Sequence, residues 1–282
     1  MIDHDALVHA TNELAPLPAS VMRMLALLSS DDWSIEDVVT TASLDAALTA
    51  RILQVANSAA SVSAAPVTTL EESTMRLGAT TVVKLATGSA IRGYMVSPKT
   101  TNDDPDEKKL WRLSVATALA ADQLASLSPV EIPREAFTVG LLNDIGRILL
   151  TRHLNEETVS LLERAVIKGD QSPLAAEREI LSVDHAELGA LIADHWGLPA
   201  LIADSIRFHH TPMDATNPIV RTLCHVITVA DAAARAVVGE EATMSIFDHT
   251  DSCLQLNLDA TTFDELCATV GENLETALAN YS

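Results

Sequence analysis

In the stretch Pro133-Arg-Glu-Ala-Phe-Thr-Val-Gly-Leu-Leu-Asn-Asp-Ile-Gly-Arg-Ile148, apolar residues recur with the period of an α-helix. Pro133 suits a first helical position, and Phe137, Leu141, Ile145 and Ile148 fall within one broad sector. Asp144 falls in the same sector, so the spacing predicts a carboxylate beside an apolar stripe rather than on a wet face. A buried carboxylate must be paired, hydrogen-bonded or metal-bound.

Helical punctuation continues on both sides of this stretch, and strand alternation is absent. Upstream, Pro18 precedes Val21, Met24, Leu25 and Leu28 on one face, and Ser34-x-x-Asp37 has the form of a capping box. Leu44, Leu48, Ile52 and Val55 keep the spacing to a stop near Asn57, and Thr69-x-x-Glu72 opens a helix closed at Gly78. Downstream, Trp111 to Leu127 is helical, Asp184-x-x-Glu187 starts a helix ending at Gly197, and Pro199 starts one ending near His209-His210. Asn217-Pro218 caps a helix running to Gly239, and Thr262-x-x-Glu265 caps a last one. The expected fold is all-α, in two packed helical subdomains. Ser97-Pro-Lys-Thr-Thr-Asn-Asp-Asp-Pro-Asp106 is the clearest linker, because its prolines disfavour a continuous helix. The organisation read from this is a helical subdomain over 1–96, a linker over 97–106, a second subdomain over 107–239 and a C-terminal extension over 240–282.

The 282 residues are 48% hydrophobic, which excludes a disordered chain, and only 3% aromatic, so aliphatic residues and alanine must fill the core. A formal net charge of −21 argues against nucleic acid and against anionic membrane surfaces as partners. From Met213 onward only Arg221 and Arg235 are basic, against eleven acidic residues. Three cysteines, Cys224, Cys253 and Cys267, lack CxxC spacing and imply a reduced compartment, with Cys224 and Cys267 as small core hydrophobes. The start Met1-Ile-Asp-His-Asp5 has no secretory pattern and no apolar run is long enough to cross a bilayer, so a cytoplasmic location is expected. There is no glycine-rich phosphate loop and no Ser/His/Asp arrangement legible from spacing.

An ordered set of segments carries a family resemblance: Leu17-Pro18, Leu44-Asp45, Arg51 to Ser58, Arg76-Leu-Gly78, Leu110 to Ser114, Gly140 to Gly146, Asp184 to Gly189, Trp196 to Pro199 and His209 to Pro212. Over roughly residues 13 to 232 the chain resembles the HDOD proteins, bacterial signal-transduction modules related to the HD-type metal-dependent phosphohydrolases. Ala46 stands where a proline is common, and Leu113 where a histidine is. In the hydrolases a first histidine, a His-Asp pair and a later aspartate bind one metal. The resemblance puts these positions at Leu113, Asn143, Asp144 and Asp231. Leucine offers no ligand, and the amide nitrogen of asparagine has no free lone pair to replace an imidazole. Two-metal relatives add histidines, whose places fall at His185, His209 and His210, with Asp144 bridging.

The resemblance therefore implies a degenerate pocket of Asn143, Asp144, His185, His209, His210 and Asp231, with no catalytic residues and no cofactor. A single divalent metal, if held, would use Asp144, His185, His209 and His210. The function implied is non-catalytic signal transduction, through a protein partner or a small ligand. The chain shows no receiver, cyclase or phosphodiesterase segment, so partners are expected in trans. The alternative from another class is a phosphohydrolase acting on a phosphoester or cyclic nucleotide through the residual metal site, and a scaffold without ligand is a third. As plain structure, His185 beside its cap Asp184, and His209-His210 at a helix C-terminus, hold helix ends together. In that reading Asp144 is a hub that raises the proton affinity of the histidines and lowers its own. Asn57-Ser58 reads as a helix stop, Arg76 as a C-terminal cation, and Trp111 and Trp196 as core anchors. His153, His195, His225 and His249 are isolated and need no function.

Overall fold

The computed structural model describes residues 4–28, 30, 32–58, 66–96, 105–169, 171–239 and 250–281. Among them there is no β-strand, as the periodicity requires. No helix among them is long and apolar enough to cross a membrane. His249 and residues 97–104 of the expected linker lie outside the described residues, and Pro105 and Asp106 already belong to a helix.

The chain forms two compact units. One comprises Leu17–Tyr94 with the chain from Glu275 onward. Here α1 is His4–Glu13, which belongs to the other unit, and α2 (Ala19–Leu28), α3 (Ile35–Ser43), α4 (Ala46–Ser58), α5 (Leu70–Leu77) and α6 (Ala79–Met95) follow. Its caps are local chemistry. Ser34 accepts a hydrogen bond from the Asp37 amide at 3.2 Å while the Asp37 carboxylate accepts one from the Ser34 amide at 2.8 Å. Thr69 accepts from the Glu72 amide at 3.2 Å, and Gly78 ends α5 with φ 86°. Asn57 is the helix stop expected of it, since its side chain donates to Leu53 O and Val67 O and accepts from the Val67 amide. Leu44 departs from expectation. It sits between α3 and α4 and is 64% exposed, because Asp45 restarts the helix by accepting from the Leu48 amide at 3.0 Å.

The other unit comprises Met1–Pro16 and Met95–Leu274. It contains α7 (Pro105–Leu127), α8 (Ala136–Leu142), α9 (Arg147–His153), α10 (Glu156–Gly169), α11 (Pro173–Leu181), α12 (His185–His195), α13 (Ala200–Phe208), α14 (Pro218–Val238), α15 (Thr250–Gln255) and most of α16 (Ala260–Asn280). Helix α7 is its axis: Leu113, Val115, Ala116, Ala118, Ala121 and Leu124 are buried where α8 and α14 pack on it. Alanine on α7 and Gly140 on α8 let the two approach closely, for a Cβ on Gly140 would stand 3.0 Å from the Thr117 carbonyl oxygen. Trp111 and Trp196 are buried anchors, the latter donating from its indole to Ala15 O at 3.1 Å. The last helix starts at Ala260 rather than Thr262, because Asp259 accepts from the Thr262 amide at 2.8 Å and so does the capping.

The decisive stretch also differs from expectation. The apolar spacing predicts one helix through Asp144, but α8 ends at Leu142, and Asn143 to Gly146 form turns before α9. The cause is tertiary. A Cβ on Gly146 would collide with the His185 carbonyl oxygen and stand 2.7 Å from the Gly189 amide nitrogen, so the first turn of α12 seats directly on the glycine. That seating brings Asp144 to the first turn of α12.

Candidate functional site

Asp144 is 2% exposed and lies among charged groups from three helices. Its Oδ1 is 3.0 Å from Arg147 Nε and 3.3 Å from His185 Nε2, with His209 Nε2 at 4.0 Å. Its Oδ2 accepts from Arg235 Nη2 at 3.4 Å, and the same guanidinium donates through Nε to Asp231 at 2.8 Å. Arg235 thus spans the two carboxylates, Asp144 and Asp231. Burial alone would raise the Asp144 carboxyl, but the charges of Arg147, His185, Arg235 and His209 outweigh it and hold the group well below the usual carboxylate range.

The histidines are oriented from behind. His185 Nδ1 is 2.6 Å from a Glu177 oxygen that also accepts from the His185 backbone amide at 2.8 Å. Burial opposes ionisation of Glu177, yet the charge of His185 and the hydrogen bonds from it keep that carboxyl lowered, so it accepts and Nδ1 donates. His209 Nδ1 faces the Ile206 carbonyl oxygen at 2.6 Å, which also can only accept. In the neutral ring these partners assign a bare lone pair to Nε2 of both residues. His185 Nε2 lies 2.8 Å from His210 Nε2, while His209 Nε2 is buried and has no hydrogen-bond partner. The Asp144, His185, His209 and His210 ligand atoms all lie within 4.8 Å of one another.

The donor set fits a divalent transition ion. Three imidazole nitrogens and one carboxylate oxygen converge, and two rings are steered by outer acceptors, as metal-bound histidines are. The buried, unpartnered His209 Nε2 points the same way. Such an ion would supply Lewis acidity and an acidified water. The other half of the site does not fit an ion. Leu113 is buried and apolar, Asn143 Oδ1 is buried without a partner, and Asp144 and Asp231 are already joined by a guanidinium.

The structure therefore brings together Asp144, His185, His209 and His210, and reaches Asp231 through Arg235. Sequence reasoning passed over Arg147, Glu177 and Arg235. Arg147 follows Asp144 by three residues and Arg235 follows Asp231 by four, spacings that let each pair meet and were there to be found. Glu177 has no such signal, being placed by the packing of α11 on the start of α12. The hub expectation is corrected in one respect. Burial and the neighbouring His185 lower the proton affinity of His209 despite Asp144, the opposite of the rise expected. Of the isolated histidines, His225 is buried with Nδ1 3.0 Å from Ser252 Oγ, and His195 Nε2 lies 2.9 Å from Leu14 O.

A cavity of about 480 Å³ opens beside this cluster, lined by residues of α7, α9, α10, α11 and α14 together with Asp144.

Comparison with known proteins bears on this geometry. The sequence model of the HDOD domain matches residues 14–212. An uncharacterised protein of Treponema pallidum (strain Nichols) is 25% identical over 232 residues, which is 81% of this chain and 44% of that protein, so the chain spans less than half of its relative. A crystal structure of a candidate phosphohydrolase from Shewanella amazonensis SB2B matches with TM-score 0.72 and 25% identity, covering 98% of each chain. An HDOD domain protein of Geobacter sulfurreducens matches with TM-score 0.70 and 21% identity, over 99% of this chain and 95% of that one. A candidate signal-transduction protein of Marinobacter aquaeolei VT8 gives TM-score 0.77 at 20% identity, over 98% of this chain and 64% of that one.

Proposed function

Because this chain belongs to the HDOD family and is a regulatory, HD-related module, we propose that it signals without catalysis, using the pocket beside Asp144 to bind a small ligand or a partner segment. One observation carries the reading. Arg235 donates to both Asp144 and Asp231, the carboxylates that the family resemblance assigns to the first metal. A guanidinium is one delocalised positive charge that neutralises carboxylates but offers no open coordination position and no activated water. Two-ion chemistry, in which paired metals clamp the attacking and leaving oxygens, has no second seat here. What remains is a charged cluster lining a mainly apolar cavity, the usual composition of a binding site.

A second reading is a hydrolase working with one ion on His185, His209, His210 and Asp144. It is favoured by the convergence of these atoms within 4.8 Å and by the unpartnered His209 Nε2. Turnover separates the two. Purified protein supplied with manganese, iron or zinc is assayed on p-nitrophenyl phosphate, bis-p-nitrophenyl phosphate and cyclic nucleotides. The binding reading expects no turnover above that of the Asp144→Ala variant. Activity that survives repurification and is lost in Asp144→Ala selects the hydrolase.

A further inference from the structure

We propose that the cavity beside Asp144 takes a small amphipathic monoanion, a carboxylate with an unbranched aliphatic body, and that Arg147 receives the carboxylate. The inference rests on the binding reading of this pocket and names its ligand class. At about 480 Å³ the cavity lies within the size range of small-molecule sites. Its walls divide by chemistry. Leu110, Leu113, Leu150, Leu154, Leu162 and Val166 make it aliphatic, while Asp144, Arg147, Glu177 and Arg235 bring the charged cluster to its lining. Leu113 contributes twice: where the resemblance implies a histidine, it removes a ligand and extends the apolar wall.

Within this cluster the groups are unequally satisfied. Arg235 is committed to Asp144 and Asp231, and Glu177 to His185. Arg147 touches Asp144 through Nε alone, without the alignment of a hydrogen bond, although its side chain is only 28% exposed. Its Nη edge makes no hydrogen bond to the protein among the described residues. A planar guanidinium lining a mainly aliphatic cavity can match a carboxylate bidentately. Charge favours a monoanion over a dianion: the lining carries four acids, Asp106, Asp144, Glu163 and Glu177, against three bases, Lys109, Arg147 and Arg235, so each further negative charge on a ligand is repelled. A dianionic phosphate monoester would meet an excess of negative charge. Leucine and valine walls, with no aromatic face, suit a flexible alkyl chain.

The test is calorimetric titration of the full chain with dodecanoate, dodecanol and dodecyl phosphate. The expected result is one dodecanoate per chain, with dodecanol and dodecyl phosphate at least tenfold weaker. Arg147→Gln should abolish the preference for the acid over the alcohol. Val166→Asp, on the half-buried wall of α10, should weaken the acid at least tenfold and provides an independent arm should Arg147→Gln not fold. Absence of dodecanoate binding, equal binding of acid and alcohol, or an unchanged preference in a folded Arg147→Gln overturns the proposal. Phosphatase turnover, measured separately, is the outcome that removes the binding reading beneath it.

Discussion

Asp144→Ala should be the most damaging single substitution in the cluster. The carboxylate is buried and carries four charged or polar contacts, to Arg147 at 3.0 Å, His185 at 3.3 Å, Arg235 at 3.4 Å and His209 at 4.0 Å. Its removal leaves two guanidiniums, each with roughly a quarter of its side chain exposed, facing one another without the acid between them. Breaking a buried ion pair by deleting one partner typically costs about 3–5 kcal/mol. Partial exposure of the arginines favours the lower figure, about 3 kcal/mol. For a chain of this size, about 2–4 °C of melting temperature accompanies each kcal/mol, so the loss should be roughly 6–12 °C. Calorimetry compares wild type, wild type stripped with a chelator and dialysed, and Asp144→Ala. Stripping should move the wild type by less than about 1 °C, well below one kcal/mol on that scale. If stripping reproduces the loss and zinc restores it, an ion and not the arginines holds the carboxylate, and the reasoning is wrong.

Three further outcomes follow from the geometry. Gly146→Ala should cost at least about 3 kcal/mol, because the new Cβ meets backbone of α12 rather than a flexible side chain; an unchanged urea midpoint would contradict the seating of α12 on this glycine. Stability should be greatest near neutral pH and fall as pH drops below 6.5, since His209 is lowered from 6.5, Glu177 from 4.5 and Asp144 from 3.8, so the unfolded chain takes up protons first at each step; a urea midpoint that rises between pH 7 and pH 5 would refute that sign. Cys224, fully buried and with its thiol pushed up to about 12 chiefly by burial, should resist a disulfide reagent at pH 8 until the protein is unfolded, and rapid native reaction would show the site to be open.

What the sequence made legible was local. Ser34 with Asp37, Asp184 with Glu187, and Asn217 with Gly239 at φ 75° are caps whose chemistry lies within a few residues of chain. The break at Asn143 to Gly146 was hidden because apolar periodicity runs on through it, and its cause is the approach of His185, some forty residues away in sequence. The candidate cluster was legible only as an ordered set of segments, which placed Asp144, His185, His209 and His210 correctly beside one another. Its electrostatic partners were not read, since an arginine three or four residues beyond an acid is ordinary helix-surface spacing until the acid proves buried. Glu177 could not be read at all without the packing of α11 on α12. The proton affinity of His209 was misjudged because one neighbouring carboxylate is visible in sequence, whereas the burial that outweighs it is not.

A guanidinium, that of Arg235, occupies the place between Asp144 and Asp231 where the resemblance puts an ion. The direct measurement is manganese stoichiometry, by equilibrium dialysis, on the wild type and on Arg235→Ala, with folding verified by circular dichroism. Removing Arg235 leaves both carboxylates without their shared donor, so the variant should bind one manganese more per chain than the wild type does. Equal stoichiometry in two folded proteins would contradict the claim.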